Sequence, residues 1–184
     1  MSTLTPVAQK FILHWGEMGT RWGINRTVAQ VHALLFLSPK PLNAEDIAKT
    51  LSVARSNVST SLRELQGWGI VRVVHVLGDR RDHFESLKDV WEIFRTVSEE
   101  RKRREIDPTV RVLRECVEEL RAAGEGEKYT QERLEDMLEF LVVMTGLFEE
   151  VVRMPASTLK GVAKLRGKII TLLAAKRQKI AGSP

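Results

Sequence analysis

Small polar and basic side chains are concentrated in one short stretch of the chain. They are Arg55, Ser56, Asn57, Ser59, Thr60 and Arg63. Such side chains can reach base edges and phosphates: asparagine pairs with adenine, arginine pairs with guanine, and hydroxyl groups bind phosphate oxygens. Two further arginines, Arg80 and Arg81, follow in a charged segment and are suited to a phosphate backbone or a narrow minor groove. The residue types therefore predict a surface that binds nucleic acid.

Composition narrows the class of protein. The chain has 184 residues, 43% of them hydrophobic, and a net charge of +5, which is typical of a soluble globular protein and favours a polyanionic partner. No apolar run reaches the roughly 18 residues that cross a bilayer, and no export signal is recognisable, so we expect a cytoplasmic protein without a membrane partner. A lone cysteine, Cys116, and four scattered histidines give no disulfide framework and no metal-ligand spacing.

Apolar periodicity and turn residues predict the elements that hold these side chains. We expect helices at about residues 6–20, 26–37, 44–51 and 55–66. Gly16, Gly19 and Gly23 are expected to weaken the end of the first of these, and Glu45 suits the first turn of the third. The β-branched residues that flank Gly78–Asp82 predict a β-hairpin with Arg80 and Arg81 at its tip, and Asp79 and Asp82 are expected to orient those arginines.

From residue 88 the pattern is helical throughout. Helices are expected at 88–104, from Asp107, from Thr130 to just before Pro155, and at 157–175. The fold class is therefore mainly α with a small β-hairpin wing: a winged helix-turn-helix domain at 1–87 and a helical region at 88–184.

Four segments in this order resemble MarR-type regulators, and in particular their GbsR-like branch. They are Leu42–Leu51, Val53–Leu65, Gly69–Val71 and Gly78–Glu85. The resemblance covers about residues 7–100. It implies a homodimeric transcriptional regulator that binds a pseudo-palindromic operator in double-stranded DNA, often as a repressor released by a small-molecule effector. It also implies that Arg55–Gln66 is the recognition helix and Gly78–His83 the wing.

On this interpretation, we expect residues 88–184 to form the dimerisation region and to be a candidate effector-binding region, and we expect the first helix to contribute to the dimer interface. Trp15, Trp22 and Trp91 are candidate effector-binding residues, although core packing also explains them. Many relatives have Ser or Thr where Ala54 stands. Without that hydroxyl cap, either Ser52 or bound DNA must order the first turn of the recognition helix.

Nothing in the sequence forms a catalytic set, so we expect no enzyme, no cofactor and no metal site. A second class of function stays open: a winged helix can also serve as a module that docks another protein without reading DNA. The polar helix face and the pair of arginines favour DNA.

Overall fold

The structure is a computed structural model that describes residues 4–123, 127–159 and 161. Its helices are α1 (Pro6–Arg21), α2 (Arg26–Leu37), α3 (Ala44–Leu51), α4 (Arg55–Gly67), α5 (Val90–Arg101), α6 (Asp107–Ala123) and α7 (Lys128–Arg153). Its strands are β1 (Leu42–Asn43), β2 (Val71–Val76) and β3 (Asp79–Ser86). The predicted fold class, mainly α with a small β wing, is confirmed.

Side-chain caps explain where the early helices begin. Thr5 caps α1, Asn25 caps α2 through Thr27 N–H at 2.8 Å, and Asn43 caps α3 through the amides of Glu45 and Asp46. The N-cap residue of α4 is Ala54, which offers no side-chain acceptor. Ser52 does not take over this role, because it ends α3 in the left-handed conformation with φ of 54°. The first turn of α4 therefore lacks the stabilisation that a hydroxyl cap gives.

Helices α1 and α2 approach each other closely at two buried glycines. A Cβ added at Gly19 would lie 2.5 Å from Ala29 Cβ, and one added at Gly16 would lie 2.7 Å from Gln30 Cγ. Both distances are shorter than atoms tolerate. The predicted end of α1 near Thr20 is confirmed to within one residue, since the helix runs to Arg21 and Gly23 follows with a φ of +76°, but Gly16 and Gly19 do not interrupt the helix. Their absent side chains instead make room for α2.

The sheet is antiparallel with the strand order β1-β3-β2. Strand β1 pairs Leu42 with Phe84, and β2 pairs Val73 with the same Phe84. The expected hairpin is present, but its tip is Leu77-Gly78, where Gly78 adopts a φ of +86°. Arg80 and Arg81 lie on β3 rather than at the tip, so the prediction of an arginine tip is wrong. The short strand β1 was not predicted.

The ammonium group of one lysine fixes the link between β3 and α5. The ammonium group of Lys88 donates to the carbonyls of Leu35, Phe36 and Ser38 at 2.7, 3.0 and 2.7 Å, which satisfies carbonyls at the C-terminus of α2. Burial lowers the pKa of Lys88. Asp89 then accepts hydrogen bonds from the amides of Trp91 and Glu92 and so starts α5.

The chain divides into two compact units between Arg101 and Lys102. The second unit opens with a π-helical turn, Lys102–Ile106, just before Asp107 and Pro108. A proline has no N–H and its ring clashes with the carbonyl four residues earlier, which for Pro108 belongs to Arg104 within the π turn. The predicted helix start at Asp107 is confirmed, whereas α7 begins at Lys128 and not at Thr130.

An ion-pair cluster and a small apolar seam hold the second unit together. Lys102 lies 2.7 Å from Asp107 and 3.1 Å from Glu149 of α7, and these hydrogen bonds raise the pKa of Lys102. Among the described residues of this unit, the buried apolar side chains are Val110, Leu113, Val117 and Val152. Most of the helix predicted at 157–175 lies outside the described residues.

Candidate nucleic-acid interface

Helix α4 has one face in the core and one face open to solvent. Val58, Leu62 and Leu65 are buried in the core of the first unit. The opposite face exposes all the side chains predicted to contact DNA, which are Arg55, Ser56, Asn57, Ser59, Thr60 and Arg63. The buried Ser61 donates to the carbonyl of Asn57 at 2.8 Å and is thereby satisfied within the helix. A single polar surface of small and basic side chains results.

The guanidinium of Arg81 is held by two carboxylates. Its Nε lies 3.0 Å from Asp79 Oδ1 and its Nη2 lies 2.6 Å from Asp79 Oδ2, while its Nη1 donates to Glu45 Oε2 at 3.1 Å. The hydrogen bonds from Arg81 hold the pKa of Asp79 well below its usual range, and Asp79 in turn raises the pKa of Arg81. Asp79 therefore orients Arg81, as the sequence predicted.

Glu45 links α3, α4 and β3, a contact that was not predicted from the sequence. Its Oε2 accepts from Arg81 on β3, and its Oε1 accepts from Arg55 Nη1 at the start of α4, at 3.3 Å. Its own position is the first turn of α3. Sequence reasoning assigned Glu45 only to the dipole of α3, because its partners stand 10 and 36 residues further along the chain, where no local spacing indicates a contact.

The other predicted wing residue, Arg80, is exposed on β3. Leu77, at the tip of the hairpin, is fully exposed. His83 is buried on β3, where its Nδ1 lies 2.9 Å from the carbonyl oxygen of Arg81. The hairpin thus presents arginines along its strand and a leucine at its end.

A cavity of about 430 Å³ lies in the first unit. Its lining includes Trp15, Trp22 and Trp68, together with apolar residues of α2 and α5. Trp15 and Trp22 meet edge to face with ring centroids 5.8 Å apart. Trp91, the third candidate from the sequence, is not part of the lining, whereas Trp68, which was not among the three candidates, is. The volume falls within the range of small-molecule sites.

Two nitrogen-bearing side chains also line this cavity. Arg101 donates to the carbonyl of Trp22 at 3.2 Å. His32 is buried, and its Nε2 has no hydrogen-bond partner among the described residues. Burial, reinforced by the charge of Lys88, lowers the pKa of His32 to about 4, so its imidazole is neutral at pH 7.

Part of the chain matches a known protein family. Residues 22–82 match the model of the MarR family. The matched span runs from the end of α1 into β3, and so contains the MarR-like helices α2 to α4 and most of the hairpin. No curated protein sequence matches the chain.

Several solved structures are similar over most of the chain. The crystal structure of a transcriptional regulator is 22% identical, covers 80% of this chain and 96% of its own, and has a TM-score of 0.59. That likeness shows the fold. A transcriptional regulator from Thermotoga maritima (17% identity, coverages of 79% and 91%) and Staphylococcus aureus MepR in complex with DNA (12%, 92% and 93%) both have TM-scores of 0.37, too low to support an argument. The assignment to the GbsR-like branch stays a prediction.

No described helix is long and apolar enough to cross a membrane. No group of three or more His, Cys, Asp or Glu side chains in the described part of the chain is arranged to hold a metal ion.

Proposed function

We propose that this chain is a sequence-specific DNA-binding transcriptional regulator of the MarR type, from its GbsR-like branch. The exposed polar face of α4, with the arginines of β3 beside it, is the observation that carries the proposal. In the proposed complex α4 enters the major groove, where Asn57 and Arg63 read base edges and the serine and threonine hydroxyls bind phosphate. Arg80 and Arg81 bind the phosphate backbone beside the groove.

The proposed regulator acts as a homodimer. Helix α7 exposes a row of large apolar side chains that the described residues of one chain leave uncovered, and a second copy would bury them. A dimer presents two copies of α4 to major grooves one turn apart, roughly 34 Å. The operator is then an inverted repeat. The proposed dimer acts as a repressor, because it blocks transcription while it is bound to that operator.

A small-molecule effector is proposed to bind in the cavity of the first unit and thereby to release the repressor from DNA. Three indole rings and aliphatic side chains supply an apolar lining, and Arg101 supplies a charge, a combination typical of ligand sites. The cavity meets α4 through Leu65 and Trp68, so a molecule that fills it can shift the recognition helix.

Selection from a pool of random duplexes tests the DNA-binding proposal. The purified protein is expected to enrich an inverted repeat with half-sites about one helical turn apart. Arg63→Ala is expected to reduce discrimination against mismatched sites, while Arg114→Ala on the exposed side of α6 leaves it unchanged. No enrichment and no salt-sensitive binding would instead favour a module that docks another protein.

A cavity-filling variant tests the effector proposal. Ser98→Trp places a large ring in the cavity lining and is expected to keep DNA binding while abolishing release by small aromatic acids, amines and alcohols. The comparison needs the wild-type protein to release a selected duplex with at least one member of that panel. If no member does so, the effector part of the proposal fails while DNA binding stands.

A further inference from the structure

Two of the cations predicted to meet DNA are already neutralised in the free protein. Arg55 and Arg81 carry two positive charges, and the carboxylates of Glu45 and Asp79 that contact them carry two negative charges. The four groups lie at exposed or half-exposed positions beside the polar face of α4. Their local sum is zero, although the chain as a whole has a charge of +5.

Asp79 alone is sufficient to orient Arg81. It accepts from the Nε and Nη2 atoms of the guanidinium, and also from the backbone N–H of Arg81 at 3.0 Å. These contacts fix both the guanidinium group and the backbone of Arg81. Glu45 contacts the remaining Nη1 atom of Arg81. It is therefore not needed to orient the guanidinium, but it does add a negative charge beside it.

The second oxygen of Glu45 acts in the same way on α4. Glu45 Oε1 lies 3.3 Å from Arg55 Nη1, at the first residue of the recognition helix. The Arg55 side chain is 69% exposed, and the amides around it have no side-chain cap. This end of α4 would attract phosphate, and Glu45 places a negative charge within hydrogen-bond distance of its cation.

We propose that Glu45 lowers the sequence-independent affinity of this protein for DNA by competing with phosphate for Arg55 and Arg81. The inference rests on the proposed DNA-binding function. Exposed ion pairs are weak and exchange readily, so phosphate can displace the carboxylate, but the negative charge stays at the interface and reduces the binding. The proposed effect is a lower affinity for every duplex, and in turn less protein held on non-operator DNA.

Two isosteric substitutions test this inference. Glu45→Gln and Glu132→Gln each raise the net charge by one, but Glu132 is an exposed residue of α7, in the other unit of the chain. Binding to a random-sequence duplex is followed by fluorescence anisotropy between about 50 and 200 mM salt. Glu45→Gln is expected to bind about 3- to 10-fold more tightly at the lowest salt, with a salt slope steeper by about one. Glu132→Gln is expected to match the wild type.

Three results would overturn the inference. Equal affinities for the two variants would show that Glu45 has no local effect, and weaker binding by Glu45→Gln would show that it orients the arginines. A random duplex and a selected duplex that both fail to bind the wild type would remove the proposed function itself, which separates the two failures. Glu45→Ala serves as a second variant, and thermal unfolding by circular dichroism checks that each protein is folded.

Discussion

The two units of the chain differ in how completely each buries its own apolar side chains. In the first, α1 to α4 and the sheet enclose a core in which Val31, Leu35, Ile47, Val58 and Leu65 are almost fully buried. In the second, α7 has 26 residues and only Val152 is buried among them. Its exposed apolar side chains are Met137, Phe140, Val142, Val143, Met144, Leu147, Phe148 and Val151.

This difference teaches where each unit obtains its stability. A core that closes within one chain supports a unit that folds by itself. An apolar helix surface that the described residues leave in water is typical of a region that meets another surface. We therefore expect substitutions in the first unit to act on folding, and substitutions on the open side of α7 to act on assembly.

The largest effect is expected from truncating the core of the first unit. Leu35→Ala removes a side chain that is 1% exposed and is expected to lower the free energy of unfolding by about 2–5 kcal/mol. Leu37→Ala is the matched control, since Leu37 lies one half-turn away on the same helix and is 41% exposed. Urea unfolding compares the two variants. Equal losses would contradict the view that α2 has one core face.

Buried His32 is expected to make the first unit sensitive to acid. Its pKa is about 4 in the folded protein and 6.5 when exposed, so the unfolded chain binds a proton first. The stability that this group gives is complete above pH 6.5 and is lost as the pH falls to 4, by about 3 kcal/mol. His32→Leu should flatten the pH dependence of unfolding over that range, whereas His14→Leu, an exposed position on α1, should not.

A charge on the open side of α7 is expected to disrupt the proposed dimer. Leu147→Asp should weaken self-association by about 100-fold or more, because a carboxylate buried without a partner is costly. Leu77→Asp supplies the control, since Leu77 is also exposed but lies at the tip of the hairpin. Sedimentation across a range of protein concentrations gives the masses. A wild-type protein that stays monomeric would remove the proposed dimer, and an unchanged Leu147→Asp dimer would place the interface elsewhere.

The smallest expected effects come from two glycines in opposite surroundings. Gly19→Ala places a methyl group against Ala29 and is expected to cost about 1–3 kcal/mol of stability. Gly146→Ala, in the interior of α7 with no described atom within 4 Å of the added Cβ, is expected to stabilise that helix by about 0.5–1 kcal/mol. Thermal unfolding measures both. A stabilising Gly19→Ala would contradict the close approach of α1 and α2.

The sequence predicted those elements whose ends depend on nearby residues. The bounds of α2 and α3 were correct because Asn25 and Asn43 cap them locally and Pro39 prevents α2 from continuing. The exposed face of α4 was predicted for the same reason, since its apolar spacing alone separates core from surface. The arginine pair was placed at the wrong point because Gly-Asp was interpreted as the turn, where the chain uses Leu-Gly.

Features that depend on contacts between residues far apart along the chain could not be predicted from the sequence. Strand β1 exists through its pairing with β3, about 40 residues later along the chain, and two residues alone give no alternating pattern. The double contact of Glu45 requires α3, α4 and β3 to be packed first. The lining of the cavity likewise combines Trp15 with Trp68, which no spacing relates.

The contact between α1 and α2 has a consequence for how this protein can change over time. Only one methyl group fits between Gly19 and Ala29, whose added and existing Cβ atoms would be 2.5 Å apart, so the two positions share a fixed volume. An ancestor or descendant with alanine at 19 is expected to carry glycine at 29, and the two exchanges are each harmful alone but neutral together. Related sequences are therefore expected to show covariation between positions 19 and 29, which reflects the close contact of the two helices.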